Sequence, residues 1–578
     1  MFEMKARDAF GRVGVLETNH GDLKTPTVLP VIDPVRQEVP AAEVVRETGA
    51  SALITNAYLI YRDVELRKRA LRLGVHELLD VDCPIATDSG GYQIYRGQDI
   101  RVPPSKIHEF QADIGSDLAV VLDKPPGDDM KRDEAESCVR TSIERCRELD
   151  RSRYKGPLWY GVVHMTPHDD LRREQAEAVS EMGFDVFALG SCVGSLMAYR
   201  FEAHLDRVLG VAEALDPSRP RHVFGVGHPM FLSLSVALGG DLFDSAMYAL
   251  AAKDGRYLTE MGTMRVQDLV ELPCSCPSCR ASTPESMLEG EEGRRLLSLH
   301  NLHSTFSEIR RIREAIRSGS LWELTQARCR SHPNLLGALK AALAGHSDFL
   351  QRVDPLTKNS ALFYMGEETR LRPEVQRAVR LARERLAGGP TFSHPLYGEV
   401  PSEASLCYPF GQTVMGSGFE PPDPEAEIDE ARVVGGSIDY QYGRGCGEAL
   451  RPFKVNRSPK THRIRTIERD GESLGVFRAK DFAFLPSWEG ASILKSHLPA
   501  PEHRVTMSDE AVPFVSKGLS AFAKFVETCD PAIIPGQEVF LVDSDDHLLA
   551  TGTTMMNSRE MRCFNSGVAA KVRHAAGR

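Results

Sequence analysis

No stretch of this 578-residue chain approaches the ~20 consecutive apolar residues that a membrane-spanning helix needs. The opening residues, MFEMKARDAFGR, lack the basic, apolar and small-residue order of a secretory signal. Both absences predict a cytoplasmic protein with no membrane partner. Cysteine is too sparse for a stapled scaffold: there are 12 in the whole chain, and the grouping of three as metal ligands argues further against a disulfide framework. No G-x-G-x-x-G opens a helix after the first strand, so a dinucleotide-binding fold is not supported. Positive charge is also short. A net charge of −11 and a pI near 6.0 argue against a protein that coats nucleic acid indiscriminately. A local basic surface remains open to RNA, because phosphate contacts depend on local charge; Arg451 to Arg465 and the C-terminal tail are basic, whereas Glu420 to Glu430 is acidic. What remains, 42% hydrophobic and 26% charged, is an ordinary soluble globular composition, and the length suggests about three or four domains.

The most informative run lies between His222 and His300. Cys274, Cys276 and Cys279 form a C-x-C-x2-C cluster punctuated by Pro273 and Pro277, and His300 follows inside a helical pattern. Three thiolates and one imidazole are the ligand set of a closed, structural tetrahedral zinc site. Inert free cysteines in a loop are the bland alternative, which this spacing disfavours. Upstream, VFGVGHP reads as a buried strand ending in a Gly-rich turn, and DLFDSAMY as a second strand carrying Asp241 and Asp244. A carboxylate on an apolar strand is costly unless paired or working. Asp244 is therefore a candidate nucleophile or charge stabiliser, against a structural Asp capping a turn.

Taken in order, the apolar runs TVLPVI, SALITNAY, CPIATDSGG, LAVVLDKP, LWYGVVH, DVFALGS, HVFGVG and DLFDSAMY are short and bounded by turns. Helical stretches such as DVELRKRALRLGV, RDEAESCVRTSIERCRELDR and LRREQAEAVSEMG separate them. Buried strands alternating with helices predict a parallel α/β architecture, and their number over this length predicts a (β/α)8 TIM-type barrel. A barrel places its chemistry at the C-terminal ends of the strands. Those ends carry Asp88, Asp123, His164, Gly190, Ser191 and Phe224, with Asp244 on the following strand. Each Asp alone could be a helix N-cap; the collection carries the weight.

With these motifs on the page, the chain resembles the tRNA-guanine transglycosylases, of the archaeal, archaeosine-pathway type. The resemblance rests on TPTVLPVIDP, DSGGYQ, FDSAMYALAAKDGRY, PCSCPSC followed by HN, and the C-terminal region, and it spans essentially the whole chain. It implies an enzyme that exchanges a guanine in tRNA, at position 15 of the D-arm, for preQ0 (7-cyano-7-deazaguanine) without cutting the phosphodiester chain. It implies Asp244 as the nucleophile holding a covalent ribose intermediate and Asp88 as general acid/base. Two carboxylates in different environments suit that division of roles. Asp123, Ser89 and the Gly190–Ser191 backbone would bind the base, and Tyr92 and Phe224 would stack on it; barrel core is the bland reading of those two aromatics. One zinc per chain and a homodimer are further implications. The pattern departs from the family at GVVHMTP, where His164 stands in the usual Gln position and Met165 in a Gly position. A neutral imidazole cannot both donate and accept at one point as an amide does. Two rival readings are a paralogue that modifies an already inserted 7-deazaguanine and a non-catalytic RNA-binding protein.

The expected division is a barrel domain over 1–350, a first accessory α+β domain with linker over 351–425, a second over 426–500, and a β-barrel over 501–578. The run from about Leu302 to Gly345 reads as helical, and PPDPEAEIDEA as a flexible junction or helix start. Around ERDGES the chain alternates as a hairpin does. Lys454, Arg457, Lys460, Arg463 and Arg465 there are phosphate-contact candidates, with solvated sheet residues as the alternative. The last stretch resembles a PUA domain, a small RNA-binding β-barrel, on Gly518 with AFAKFV, PGQEV, LLATGTT and Gly567 leading to AAKVR. Lys517, Lys524, Lys571 and Arg573 are its candidate RNA contacts.

Overall fold

The computed structural model describes residues 1–95, 102–191, 193–386, 388–416 and 429–577. The chain forms two compact units: residues 1–317 with 324–342, and residues 318–323 with 343–578.

The first unit opens with an antiparallel sheet, β1 (Phe2–Asp8), β2 (Gly11–Thr18) and β3 (Gly21–Thr25). Eight parallel strands follow: β4 (Thr27–Pro30), β5 (Leu53–Asn56), β6 (Ile85–Asp88), β7 (Leu118–Val120), β8 (Leu158–His164), β9 (Val186–Gly190), β10 (Arg221–Val223) and β11 (Leu242–Ser245). Their order is β4-β11-β10-β9-β8-β7-β6-β5. A parallel bridge from Val31 to Ile54, with the Ile32 N–H donating to the Ile54 carbonyl at 2.8 Å, joins the two edges. The expected (β/α)8 barrel is therefore present, and each of the eight apolar runs is one of its strands. These runs are short and apolar throughout because helices cover one face and the barrel interior the other. The helices Val64–Leu79, Arg132–Glu148, Asp169–Glu181 and Pro229–Ala237 occupy the predicted intervals.

The stretch expected to be helical from Leu302 begins earlier and is broken. One helix runs from Gly290 to Ser318, so that His300 lies inside it; Leu321–Cys329 and Pro333–Gly345 follow. The first break falls at Gly319, whose φ of +74° is left-handed and affordable for glycine.

Arg12 of β2 caps the strand-start end of the barrel. Its guanidinium, fully buried, grips the Asp241 carboxylate with Nε at 3.0 Å and Nη2 on the second oxygen, and Nη2 also donates to the Arg219 carbonyl at 3.1 Å. Asp241 is thus a paired structural acid, unlike Asp244 three residues on. Removing one partner of a buried pair strands the other, so Arg12→Met is expected to cost about 3 kcal/mol. Urea unfolding of the two proteins measures this; an unchanged midpoint would show that the Arg221 N–H, 2.9 Å from Asp241, suffices.

The second unit contains three sheets of note. The hairpin Thr391–His394 with Gly398–Pro401 packs near the helix Pro373–Arg385. A four-stranded antiparallel sheet (Lys454–Arg457, Ile464–Arg469, Glu472–Phe477, Phe484–Pro486) contains the hairpin expected around ERDGES. Its turn residues Asp470 and Gly471 both have positive φ, 52° and 87°, as a two-residue Asp-Gly turn requires. A six-stranded, mostly antiparallel sheet built from residues 504–575 forms the C-terminal module. The region expected as a junction, PPDPEAEIDEA, lies mainly outside the described residues; the helix Glu430–Tyr442 starts at its end, capped by the Asp429 side chain. Among the described residues no cysteine is disulfide-bonded, and no helix is long and apolar enough to cross a membrane.

Candidate active site and metal centre

Asn56, Asp88, His164 and Gly190 are the last residues of β5, β6, β8 and β9, and Asp244 is the third of four in β11. Phe224 directly follows β10, and Asp123 lies three residues beyond β7. In-register parallel pairing brings these ends to one mouth: Asn56 is level with Asp88, and His164 with Gly190.

Asp88 accepts from the Asn56 amide at 2.6 Å, and the same amide lies 3.1 Å from Gln93 Oε1. Burial, and secondarily the negative charge of Asp244, raise the Asp88 carboxyl from an ordinary 3.8 to about 6, against the Gly90 and Ser89 N–H groups and Asn56. Asp123 is pushed higher, to about 7, by burial and by the charge of Asp88, with Arg145 opposing. The mouth therefore holds carboxyls that hinder one another's ionisation.

Asp244 is held differently. Its Oδ1 accepts the Gly225 N–H at 3.0 Å and lies 3.2 Å from His222 Nε2, whose other nitrogen meets the Tyr160 hydroxyl at 3.0 Å. Oδ2 has no partner among the described residues. One oxygen is anchored and the other is available to an electrophile at the mouth. Phe224 stands edge-on to His222, with centroids 4.6 Å apart and planes at 89°.

Two backbone features make room for the acids. A Cβ on Gly91 would sit 1.9 Å from Asp123 Oδ1, so the glycine lets the carboxylate lie against the backbone. Ser191 is non-glycine at φ +63°, a strained left-handed conformation of the kind that clusters at working sites. Its hydroxyl lies 3.3 Å from His164 Nδ1. His164 is fully buried, with Nε2 3.1 Å from Ser142 Oγ and 3.5 Å from Asp123 Oδ2. Burial holds its ring neutral, with a pKa lowered to about 3. The ring is thus a brace between Asp123 and Ser191.

Other expected site residues are placed as follows. The Ser89 hydroxyl is buried and donates to the Val121 carbonyl at 3.1 Å, and the Gly190 carbonyl accepts the Met165 N–H at 2.9 Å. Tyr92 lies in the helix Gly91–Tyr95, but its side chain is outside the described residues. Sequence reasoning passed over Asn56, Gln93, Tyr160 and Ser142. Asn56 had a readable signal, a polar residue ending the strand LITN; Tyr160 and Ser142 look like ordinary barrel and helix residues until the fold aims them.

The thiol and imidazole group forms beside the hairpin Arg256–Thr259 and Gly262–Arg265. The Cys274, Cys276 and Cys279 sulfurs and a His300 nitrogen lie within 4.8 Å of one another. His300 Nδ1 is 3.2 Å from Cys279 Sγ and 3.6 Å from Cys276 Sγ. Its Nε2 faces the Leu258 carbonyl at 3.1 Å, which fixes the ring proton there and frees Nδ1 as a ligand. Tyr257 stacks on the ring at 3.5 Å and its hydroxyl meets Cys279 Sγ at 3.2 Å. Asn301 closes the shell by accepting the Leu258 N–H at 2.8 Å and donating to the Tyr248 and Arg256 carbonyls. The donor set fits a metal ion.

Of the basic residues proposed to touch RNA, several have partners: Lys454 with Glu468 at 3.2 Å, Arg457 with Glu430 at 2.8 Å, and Arg573 with the buried Glu538 at 3.0 Å. Lys524 lies over the Phe525 ring at 4.5 Å.

A parallel barrel with its ionisable side chains gathered at the strand ends is the architecture of a (β/α)8-barrel enzyme. Comparison with known proteins makes the class specific. Residues 8–334 match the family described as queuine tRNA-ribosyltransferase, and the chain belongs to that family. Residues 355–420 match a C1 domain of tRNA-guanine transglycosylase dimerisation, 434–501 a patch-forming C2 domain of tRNA-guanine transglycosylase, and 503–576 a PUA domain. Proteins named tRNA-guanine(15) transglycosylase are similar over nearly their full length. The one from Thermococcus onnurineus is 42% identical, covering 99% of this chain and 98% of the relative. That from Pyrococcus furiosus is 41% identical (99% and 97%), and that from Methanocaldococcus jannaschii 37% (99% and 99%).

Proposed function

We propose that this protein is a tRNA-guanine(15) transglycosylase that replaces the encoded guanine with preQ0. The observation that carries the reading is Asp244, anchored through one oxygen with the other available, at a mouth that also holds the protonatable Asp88. The Asp244 carboxylate forms a bond to ribose C1′ as the C1′–N9 bond breaks, and guanine departs with the proton supplied by Asp88. The incoming base returns its N9 proton to Asp88 as N9 displaces the Asp244 ester. Asp123 and the Gly190–Ser191 backbone read the base edge, Ser89 shapes the wall, and Phe224 and Tyr92 stack on the ring. His164, being buried, acts on the base through Asp123 and Ser191. Zinc in the thiol and imidazole group is structural and takes no part in these steps. Position 15 lies in the folded tRNA core, so the base must be extruded, at the cost of unstacking. We assign that grip to the accessory and PUA domains, with divisions near 350, 425 and 500, and infer a homodimer.

The test is release of labelled guanine from tRNA on adding unlabelled preQ0, followed by mapping of the exchanged position. Release without preQ0 insertion, or insertion at another position, would refute the assignment.

The two raised carboxyls predict opposite pH limbs. Asp88, near 6, must hold its proton for guanine to leave, so the chemical step is expected to slow as pH rises through that value. Asp123, near 7, must be ionised to accept a base N–H. The KM for the free base is therefore expected to rise about tenfold per pH unit below 7. Asp123→Asn should flatten the KM limb and leave the other; a KM limb that persists in this variant would point to another group.

A further inference from the structure

A second group of ligating side chains lies at the opposite end of the barrel from the mouth. Asp117 immediately precedes β7; its N–H donates to the Ile85 carbonyl and its carbonyl accepts the Leu158 N–H, which places it among the strand starts. Its carboxylate is fully buried. Oδ1 accepts the His20 backbone N–H at 3.0 Å and lies 2.9 Å from His20 Nδ1. Oδ2 accepts the Ile85 N–H at 2.8 Å and lies 2.8 Å from His76 Nε2. The two imidazoles stack face to face, 3.7 Å between centroids and 25° between planes. One ligand atom from each of the three residues falls within 4.8 Å of the others. A cavity of about 520 Å³ opens beside them, lined by His20 and His76 together with Glu77, Asp80 and Asp82.

We propose that His20, His76 and Asp117 bind a divalent transition-metal ion of the zinc, cobalt or nickel class. The carboxylate of Asp117 has four acceptor sites, two taken by backbone N–H groups and two facing the imidazole nitrogens. Two imidazoles and a carboxylate suit a borderline cation rather than calcium or magnesium, which take oxygen ligands. The backbone donors to Asp117 orient the carboxylate as outer-shell partners. The cavity admits water to complete the coordination, and its acidic lining favours a cation. The ion would join three elements distant in sequence: the β2–β3 turn bearing His20, the helix Val64–Leu79 bearing His76, and the start of β7. This role is separate from the reaction at the mouth.

The test uses the full-length protein equilibrated with Co2+ and dialysed, with metal counted by elemental analysis and read by absorption. Cobalt at the cysteine group gives intense thiolate charge-transfer bands, whereas cobalt on His20, His76 and Asp117 gives only weak d–d bands. Wild type is expected to retain one ion more per chain than His20→Ala or His76→Gln, with equal thiolate bands in all three. His20 stands on an exposed turn, so its variant tests the site without threatening the fold. Equal metal content in wild type and His20→Ala would overturn the proposal. So would a His20→Ala protein that loses stability with no difference in bound metal, which would make the cluster a hydrogen-bond clamp alone.

Discussion

Asp244→Asn is expected to lower base exchange by on the order of 10⁴-fold or more, with tRNA affinity little changed. Asn keeps the shape and an oxygen that can accept the Gly225 N–H, now 3.0 Å from Oδ1, so the mouth should persist. What it removes is the oxygen with no partner among the described residues, which no neighbour replaces: His222 and Tyr160 are paired with each other, and burial makes Asp88 and Asp123 harder to ionise. The change also removes a charge that raises the Asp88 carboxyl, so Asp88 should ionise at lower pH in the variant. Single-turnover release of labelled guanine measures the loss, and a denaturing gel of enzyme held with tRNA detects the covalent adduct. Exchange within tenfold of wild type, or an adduct that survives the substitution, would place the nucleophile elsewhere.

Removing the zinc proposed for the Cys274, Cys276, Cys279 and His300 group should have the second large effect. Apparent binding energies of structural zinc reach roughly 10–16 kcal/mol in small peptides, where the ion carries the whole fold. Here a small apolar cluster, Tyr257, Val266, Met287 and Leu297 among its members, surrounds the ligands, so part of the local structure can outlast the ion. We expect chelation, or Cys276→Ser, to lower the melting temperature by on the order of 10 °C. Amide exchange should rise first in the Arg256–Arg265 hairpin and the segment from Cys274 to Arg280. Release of zinc with an unchanged melting curve would mean that Tyr257 stacking and the Asn301 hydrogen bonds hold the segment without it.

The eight barrel strands and the metal-ligand group were legible in the sequence because each depends on local text. A strand covered on both faces must be short and apolar, and three thiols in a C-x-C-x2-C turn with a helical His carry their own spacing. The strand-end positions of Asp88, Asp123, His164 and Asp244 followed from the parallel fold once the strands were assigned. The remainder was decided only by tertiary contacts between residues far apart in the chain. Position along the run separates Asp241 at its start from Asp244 near its end, but what makes the first a paired structural acid is Arg12, 229 positions away. His164 ends a strand at the mouth, yet Ser142, Ser191 and Asp123 converge on its buried ring and make it a brace. Asp117, His20 and His76 carry no motif, because their grouping exists only where a turn, a helix and a strand start meet. Local periodicity and ligand spacing are properties of short segments, and the sequence states them directly. Which acid is paired, raised or free is set by burial and by charges brought from elsewhere, and only the folded chain supplies those.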